Sequence, residues 1–217
     1  MFILAFDTAT PAVTVAVHDG SDVVAYESAV DARRHGELLA PAIATVLAKA
    51  GAQRGDVTQI AVGTGPGPYT GLRVGLVTAR VLGSALGVPV DGVCTLDVIA
   101  AEARQAAAGR EFIVATDARR REVYWARYAA SGERLSDPQV SLPSSVPPGR
   151  PVAGEGPVLH AELAATAIME PRYPSAAQLA QIAADHLADG VPPGPAEALY
   201  LRRPDAREPV RPKRVTP

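Results

Sequence analysis

The chain has 217 residues, 47% hydrophobic and 20% charged, which is the balance of a globular protein with a sizeable buried core and excludes an intrinsically disordered one. Its net charge of −2 excludes a general electrostatic attraction to nucleic acid or acidic lipid. The single cysteine, Cys94, excludes a disulfide framework, and no run approaches the ~20 apolar residues of a membrane span, so a soluble cytoplasmic protein is expected.

Phe2-Ile3-Leu4-Ala5-Phe6 reads as an apolar strand ending in Asp7, too short for a signal peptide. A small hydroxyl-bearing turn, Thr8-Ala9-Thr10, leads to a second β-rich run, Val13 to Val17, that closes on Gly20. Leu38, Leu39, Ala42, Ile43, Val46, Leu47 and Ala50 then form a narrow helical stripe ended by Gly51. Pro41 is placed near the first turn of that helix, where its missing N–H does no harm, and His35 suits a capping or packing role.

The strand-like run at Ile60 enters the loop Thr64-Gly65-Pro66-Gly67-Pro68, where glycines open backbone conformations closed to other residues and prolines stiffen the turn. Thr70 is placed as the N-cap of a helix running to about Leu86. No Lys-Ser/Thr pair follows the last loop glycine, so this is not a phosphate-binding P-loop. Such a unit either binds an anion at the helix N-terminus or presents the helix rigidly. The helix favours presentation. Gly71, Gly75, Ala79 and Gly83 recur every fourth residue, and Leu72 and Leu76 help make it apolar almost all round. Helical glycines cost roughly 1 kcal/mol each relative to alanine, so the stripe implies close approach of another element, within the domain or on a partner.

Val88 to Val93 reads as a strand and Leu96 to about Ala108 as a helix. Phe112-Ile113-Val114-Ala115-Thr116-Asp117 then repeats the opening strand at a constant offset of 110 residues, with a second run from Val123 to Tyr128 and a closing Gly132. The shared Asp and hairpin layout indicate duplication, with halves 1–108 and 109–217. The second half is thinner: an irregular Pro-rich stretch from Pro138 to Pro151, a helix from Ala176 to Ala188, and a short closing strand from Ala198 to Leu201. Arg203, Arg207, Arg211, Lys213 and Arg214 lie among prolines in a tail read as mobile and solvated.

Two β-rich halves, each opening with an Asp-terminated strand, point to an α/β fold of the actin/Hsp70/sugar-kinase superfold (ASKHA, RNase H-like), with the second half reduced. The candidate nucleotide contacts are Asp7, Thr8, Thr10 and Asp117. The turn Arg119-Arg120-Arg121-Glu122 is bulky and glycine-free and crowds the approach to a phosphate, so the cleft reads as degenerate. Asp7 and Asp117 serve equally well as turn formers bonded to their own backbone. His18, His35, His160 and His186 are scattered without metal-ligand spacing, and no nucleophile-base pair is evident, so no metal and no catalytic residue is assigned.

The segments Ile3 to Thr10, His35-Gly36-Glu37-Leu38-Leu39-Ala40-Pro41, Ala61 to Gly75, Asp117-Ala118-Arg119 and Tyr200-Leu201-Arg202 together resemble the bacterial TsaB (YeaZ) family. The resemblance implies a non-catalytic subunit in the synthesis of threonylcarbamoyladenosine in tRNA, beside the anticodon. It implies that Thr95 and Ile99 stand where the catalytic paralogue TsaD carries its metal-binding histidines. It further implies pairing with TsaD through the first two helices, with Leu39, Ile43, Val46 and Leu47 on one. Gly71, Leu72, Gly75, Leu76, Ala79 and Gly83 are the contacts expected on the other. A homodimer would use the same helices, and Gly75→Leu is expected to block both dimers while sparing the monomer. TsaE is implied as a third partner, tRNA as an indirect one, and no membrane. No cofactor is required by this subunit, though a nucleotide could occupy the seam of the complex. The competing readings are an autonomous ATP-binding enzyme of the superfold and a protease, the latter lacking metal ligands or a nucleophile-base pair.

Overall fold

The apolar runs Phe2–Asp7 (β1), Ala12–His18 (β2) and Val57–Gly63 (β4) are buried along almost their whole length, as in strands covered on both faces. Together with Val23–Val30 (β3) and Val90–Val93 (β5) they form a five-stranded sheet of order β3-β2-β1-β4-β5. This is seen in a computed structural model that describes residues 1–168 and 170–202. β1 runs antiparallel to β2 and parallel to β4. A second sheet, β8-β7-β6-β9, repeats that centre. In it β6 (Phe112–Asp117) pairs antiparallel with β7 (Val123–Tyr128) and parallel with β9 (Val152–Ala153), and β8 (Gln139–Ser141) lies at the edge. Each Asp-terminated strand therefore has a hairpin partner on one side and a parallel strand on the other.

Helices α1 (His35–Lys49) and α2 (Tyr69–Leu86) cover one face of the first sheet, enclosing Leu4, Phe6, Val15 and Val62. The opposite face is covered by α6 (Ala176–Ala188), whose Leu179, Ala180 and Ala183 pack on Ile3, Ala5 and Ala16. In exchange, α3 (Thr95–Ala103) packs Leu96, Ile99 and Ala103 against Phe112, Val114 and Tyr128 of the second sheet. The short helices α4 (Gly156–Leu159) and α5 (Ala161–Ala164) sit beside that sheet, with Leu163 against Ile113 and Trp125. The division at residue 108 thus separates the strands but not the cores, since α3 and α6 each cross it.

Several boundaries differ from the sequence reading, each for a local reason. α1 starts at His35, so Pro41 lies in its second turn; the acceptor it leaves unpaired is on exposed Glu37, where water serves. α2 starts at Tyr69 directly after Pro68, so Thr70 is inside the first turn and caps nothing. α3 ends at Ala103, and the chain unwinds through turns to Ala108 and Gly109, both left-handed. The Pro-rich stretch carries edge strand β8 and a 3-10 turn, Pro143–Ser145. No strand forms at residues 198–201. The Gly92 N–H donates to Gly194 O (3.0 Å) and the Leu199 N–H to Thr64 O (2.9 Å), bonds too sparse for a ladder. The predicted basic tail from Arg203 onward lies outside the described residues.

Candidate functional site

Parallel pairing of β1 with β4 brings Asp7 beside Gly63 and the start of α3. The Asp7 side chain is fully buried. Its Oδ1 accepts the Ala9 N–H at 2.7 Å and its Oδ2 accepts the Thr95 hydroxyl at 2.7 Å. Thr95 Oγ1 in turn accepts the Gly65 N–H at 3.0 Å, and the Thr95 N–H donates to Gly65 O at 2.8 Å. A Cβ at Gly63 would overlap Asp7 Oδ2, so glycine is required there. Burial pushes the Asp7 carboxyl up to about 6, opposed by the Thr95 and Ala9 hydrogen bonds and the nearby His35.

The next residues are also spent inside the chain. Thr8 Oγ1 donates to Gly71 O at 2.7 Å and accepts the Gly75 N–H at 3.0 Å. Thr10 O bonds His35 Nε2 at 2.8 Å, and Thr10 Oγ1 accepts the Ala12 N–H at 3.3 Å. Of the predicted nucleotide contacts, Asp7, Thr8 and Thr10 therefore knit the first turn to α2, α3 and His35. The sequence located the turn but not the direction in which its groups point.

The second turn repeats the local chemistry: Asp117 Oδ1 accepts the Arg119 N–H at 2.8 Å, as Asp7 does that of Ala9. Arg119, Arg120 and Arg121 follow with φ of 61°, 56° and 62°, a left-handed run costing non-glycine residues roughly 1 kcal/mol or more apiece. Arg119 reaches the first half and lines a cavity of about 220 Å³ with Thr8, Thr10 and His35. The two turns thus face one another, though neither aspartate lines the cavity between them. Beside it lies a cleft of about 500 Å³ between the start of α2, the arginine turn and Tyr200-Leu201-Arg202.

Thr95 and Ile99 occupy filled space: the Thr95 hydroxyl is held by Asp7, and Ile99 is buried in the second core. No group of three or more His, Cys, Asp or Glu among the described residues could hold a metal ion. Cys94 precedes α3, and burial together with Asp97 pushes its thiol up to about 12, out of the range of a nucleophile at neutral pH. No helix among the described residues is long and apolar enough to cross a membrane.

The helix residues predicted as partner contacts are largely buried within the chain itself, Ile43 and Leu47 also flooring a surface groove. Leu39, Ile43, Val46 and Leu47 of α1 are buried against the chain's own sheet. So are Gly71, Leu72, Gly75, Leu76, Ala79 and Gly83 of α2. A Cβ at Gly75 would stand 2.6 Å from Thr8 Oγ1 and one at Gly71 2.7 Å from Thr8 O, while one at Gly83 would overlap Val90. The small-residue stripe is therefore cut to fit the first turn and β5, and Gly75→Leu would damage the monomer it was meant to spare. Periodicity reveals an apolar face but not whose surface covers it.

The faces left in water are others. α2 exposes Val77 (52%) and Val81 (61%), one and two turns beyond Arg73. α1 exposes Ala40, Ala44 and Ala48. Between the helices runs an apolar groove of about 720 Å³, walled by those alanines with Thr78 and Leu82, and floored by Ile43 and Leu47.

Residues 28–151 match the model of a family described as TsaD: tRNA N6-adenosine threonylcarbamoyltransferase. An uncharacterized protein of Mycobacterium tuberculosis is 46% identical over 94% of this chain and 93% of its own length. The tRNA threonylcarbamoyladenosine biosynthesis protein TsaB of Escherichia coli is 37% identical over 59% of this chain and 55% of its own. Two solved structures from Pseudomonas aeruginosa superpose on nearly the whole molecule. One is YeaZ, with TM-score 0.76 and 29% identity, covering 92% of this chain and 99% of that one. The other, an uncharacterized protein with similarity to peptidase YeaZ, has TM-score 0.80 and 30% identity, covering 93% and 99%.

Proposed function

From the finding that the chain belongs to the TsaB (YeaZ) family, we propose that it is a non-catalytic subunit for threonylcarbamoyladenosine synthesis in tRNA, a scaffold that pairs with TsaD and recruits TsaE. One observation carries this reading. The polar groups at the end of β1 are taken up by the Asp7–Thr95–Gly65 hydrogen bonds, while the apolar groove of α1 and α2 stands open. A first turn whose polar groups are engaged within its own chain suits an assembly role rather than turnover. The two sheets with matching centres are in keeping with duplicated ASKHA-like halves, 1–108 and 109–217, the second reduced.

TsaD would lay its equivalent helices on the exposed face, where alanines at every fourth position of α1 permit close approach and Val77, Val81 and Leu82 supply buried area. A second copy of this chain would use the same face, so homodimer and heterodimer compete. No cofactor is needed in this role. A peptidase activity finds no support in Cys94, whose thiol is held protonated.

The test is a double variant, Val77→Glu with Val81→Glu, which changes only exposed side chains. It should keep the wild-type melting temperature, lose co-elution with TsaD, and fail to support threonylcarbamoyl transfer by TsaD and TsaE supplied with threonylcarbamoyl-adenylate. Normal complex formation by the variant would refute the interface. Full transfer without any of this chain would refute the role.

A further inference from the structure

The face that α1 and α2 leave in water carries a charge pattern that an apolar groove by itself does not require. Between His35 and Leu86 the acids are Glu37 and Asp56, against Lys49, Arg54, Arg73 and Arg80. Glu37 pairs with Arg34 and Lys49 with Glu27. That leaves three arginines against Asp56, whose Oδ2 accepts the Gln53 N–H at 2.7 Å. Arg54 is the charged residue of the groove lining, in the turn beyond the end of α1, and its side chain has no ion-pair partner among the described residues. On α2, Arg73 stands one turn before the exposed Val77, and Arg80 directly precedes the exposed Val81. Both arginines are engaged, but by neutral groups. Arg73 lies over the Tyr69 ring at 4.9 Å and bonds its hydroxyl. Arg80 donates to Ala196 O through Nε (3.0 Å) and Nη2 (2.6 Å). Their charges are therefore held in place without being offset. Glu197, the next residue after Ala196, lines a separate cavity with Arg134 and His186.

We infer that this face selects a protein partner whose own apolar helical surface is bordered by unpaired carboxylates, with Arg54, Arg73 and Arg80 setting the rate and specificity of docking. The inference rests on the reading of this face as the TsaD interface and deepens it by naming the chemistry the partner must present. An apolar centre supplies buried area, while charges at its rim steer the encounter and reject wrong partners. A second copy of this chain would bring the same three arginines to the same face, so like charges oppose self-association. An acidic rim is attracted instead. RNA would meet the arginines but leave the alanine-walled groove and both valines without apolar cover, so a protein surface is the better fit. Arg73 and Arg80 are already fixed by their neutral partners, so pairing with a carboxylate costs them little further side-chain freedom. The net charge of the whole chain is −2, so the attraction is local to this face and is screened over about 8–10 Å at 0.1–0.15 M salt.

The test follows the association rate of the full chain with TsaD over a range of salt. For wild type the rate should fall as salt rises. Arg54→Glu with Arg73→Glu should slow association about tenfold at low salt, and the two curves should converge at high salt, where screening removes the charge effect. Arg54→Gln with Arg73→Gln adds no new charge, should lie between them, and stands in if the reversal lowers the melting temperature. At low salt this neutral variant should also self-associate more tightly than wild type; unchanged or weaker self-association overturns the choice against a second copy. Arg110→Glu, a charge reversal at an exposed position outside this face, should match wild type. Failure of the wild-type chain to bind TsaD at any salt overturns the interface reading itself. Binding whose rate and salt dependence are the same in wild type and both arginine variants overturns the charge inference alone.

Discussion

Replacing Asp7 by Asn should abolish a pH dependence of stability that the wild-type chain carries. In the folded chain the Asp7 carboxyl is lifted from its ordinary 3.8 to about 6, chiefly by burial. Between those values the folded state binds more protons than the unfolded one, so stability is greatest below the unfolded value and falls as pH rises through this window. At 1.36 kcal/mol per unit, the buried charge costs about 3 kcal/mol at neutral pH. Lowering the pH from about 7.5 to about 4.5 should recover about 2 kcal/mol of it. Asn keeps the shape: its oxygen can accept the Ala9 N–H and its amide can donate to Thr95 Oγ1, which already accepts from Gly65. Urea unfolding of both proteins at the two pH values isolates the effect, because every other titrating group cancels in the difference. Wild type should gain about 2 kcal/mol more than Asp7→Asn on acidification. Parallel profiles would refute the claim that a sealed carboxyl sits at the end of β1.

Other consequences can be checked independently. Gly75→Ala should gain about 1 kcal/mol of helix propensity yet lose more through displacement of Thr8 from its bonds to Gly71 and Gly75, for a net loss of about 2 kcal/mol in urea unfolding. A stabilised variant would show that the stripe is not filled from within. Tyr128→Phe removes a buried hydroxyl that donates to Asp97 at 2.7 Å, and should cost about 1–2 kcal/mol in the same assay. It should also raise the Asp97 carboxyl further above its ordinary range, because that hydrogen bond is the largest influence holding it down; a fall in its NMR titration midpoint would contradict the geometry.

The elements themselves were largely legible because they obey local rules. The apolar runs to Asp7 and to Asp117 are β1 and β6 residue for residue, and the alanine-rich period of 176–188 is α6. Where reading failed locally, the cause was a competing local preference: Pro68 starts α2 ahead of Thr70, and sparse hydrogen bonds leave residues 198–201 without a strand. The two Asp-terminated strands were visible, but the exchange of α3 and α6 between the sheets was not, because nothing in a helix's own pattern names the sheet that will bury it.

The candidate site divides along the same line. Sequence alone identified the glycine-lined helix, the two aspartate turns and the family motifs, since these depend on backbone conformation, spacing and residue type. Only the tertiary structure decided which way they face. Parallel pairing of β1 with β4 carries Asp7 under Thr95, and the bare stripe of α2 closes on Thr8 and Val90. That leaves Val77 and Val81 outward and brings Arg119 to the first half across a hundred residues of chain. Burial and charge juxtaposition arise from contacts between segments remote in sequence, and those contacts exist only once both sheets are formed.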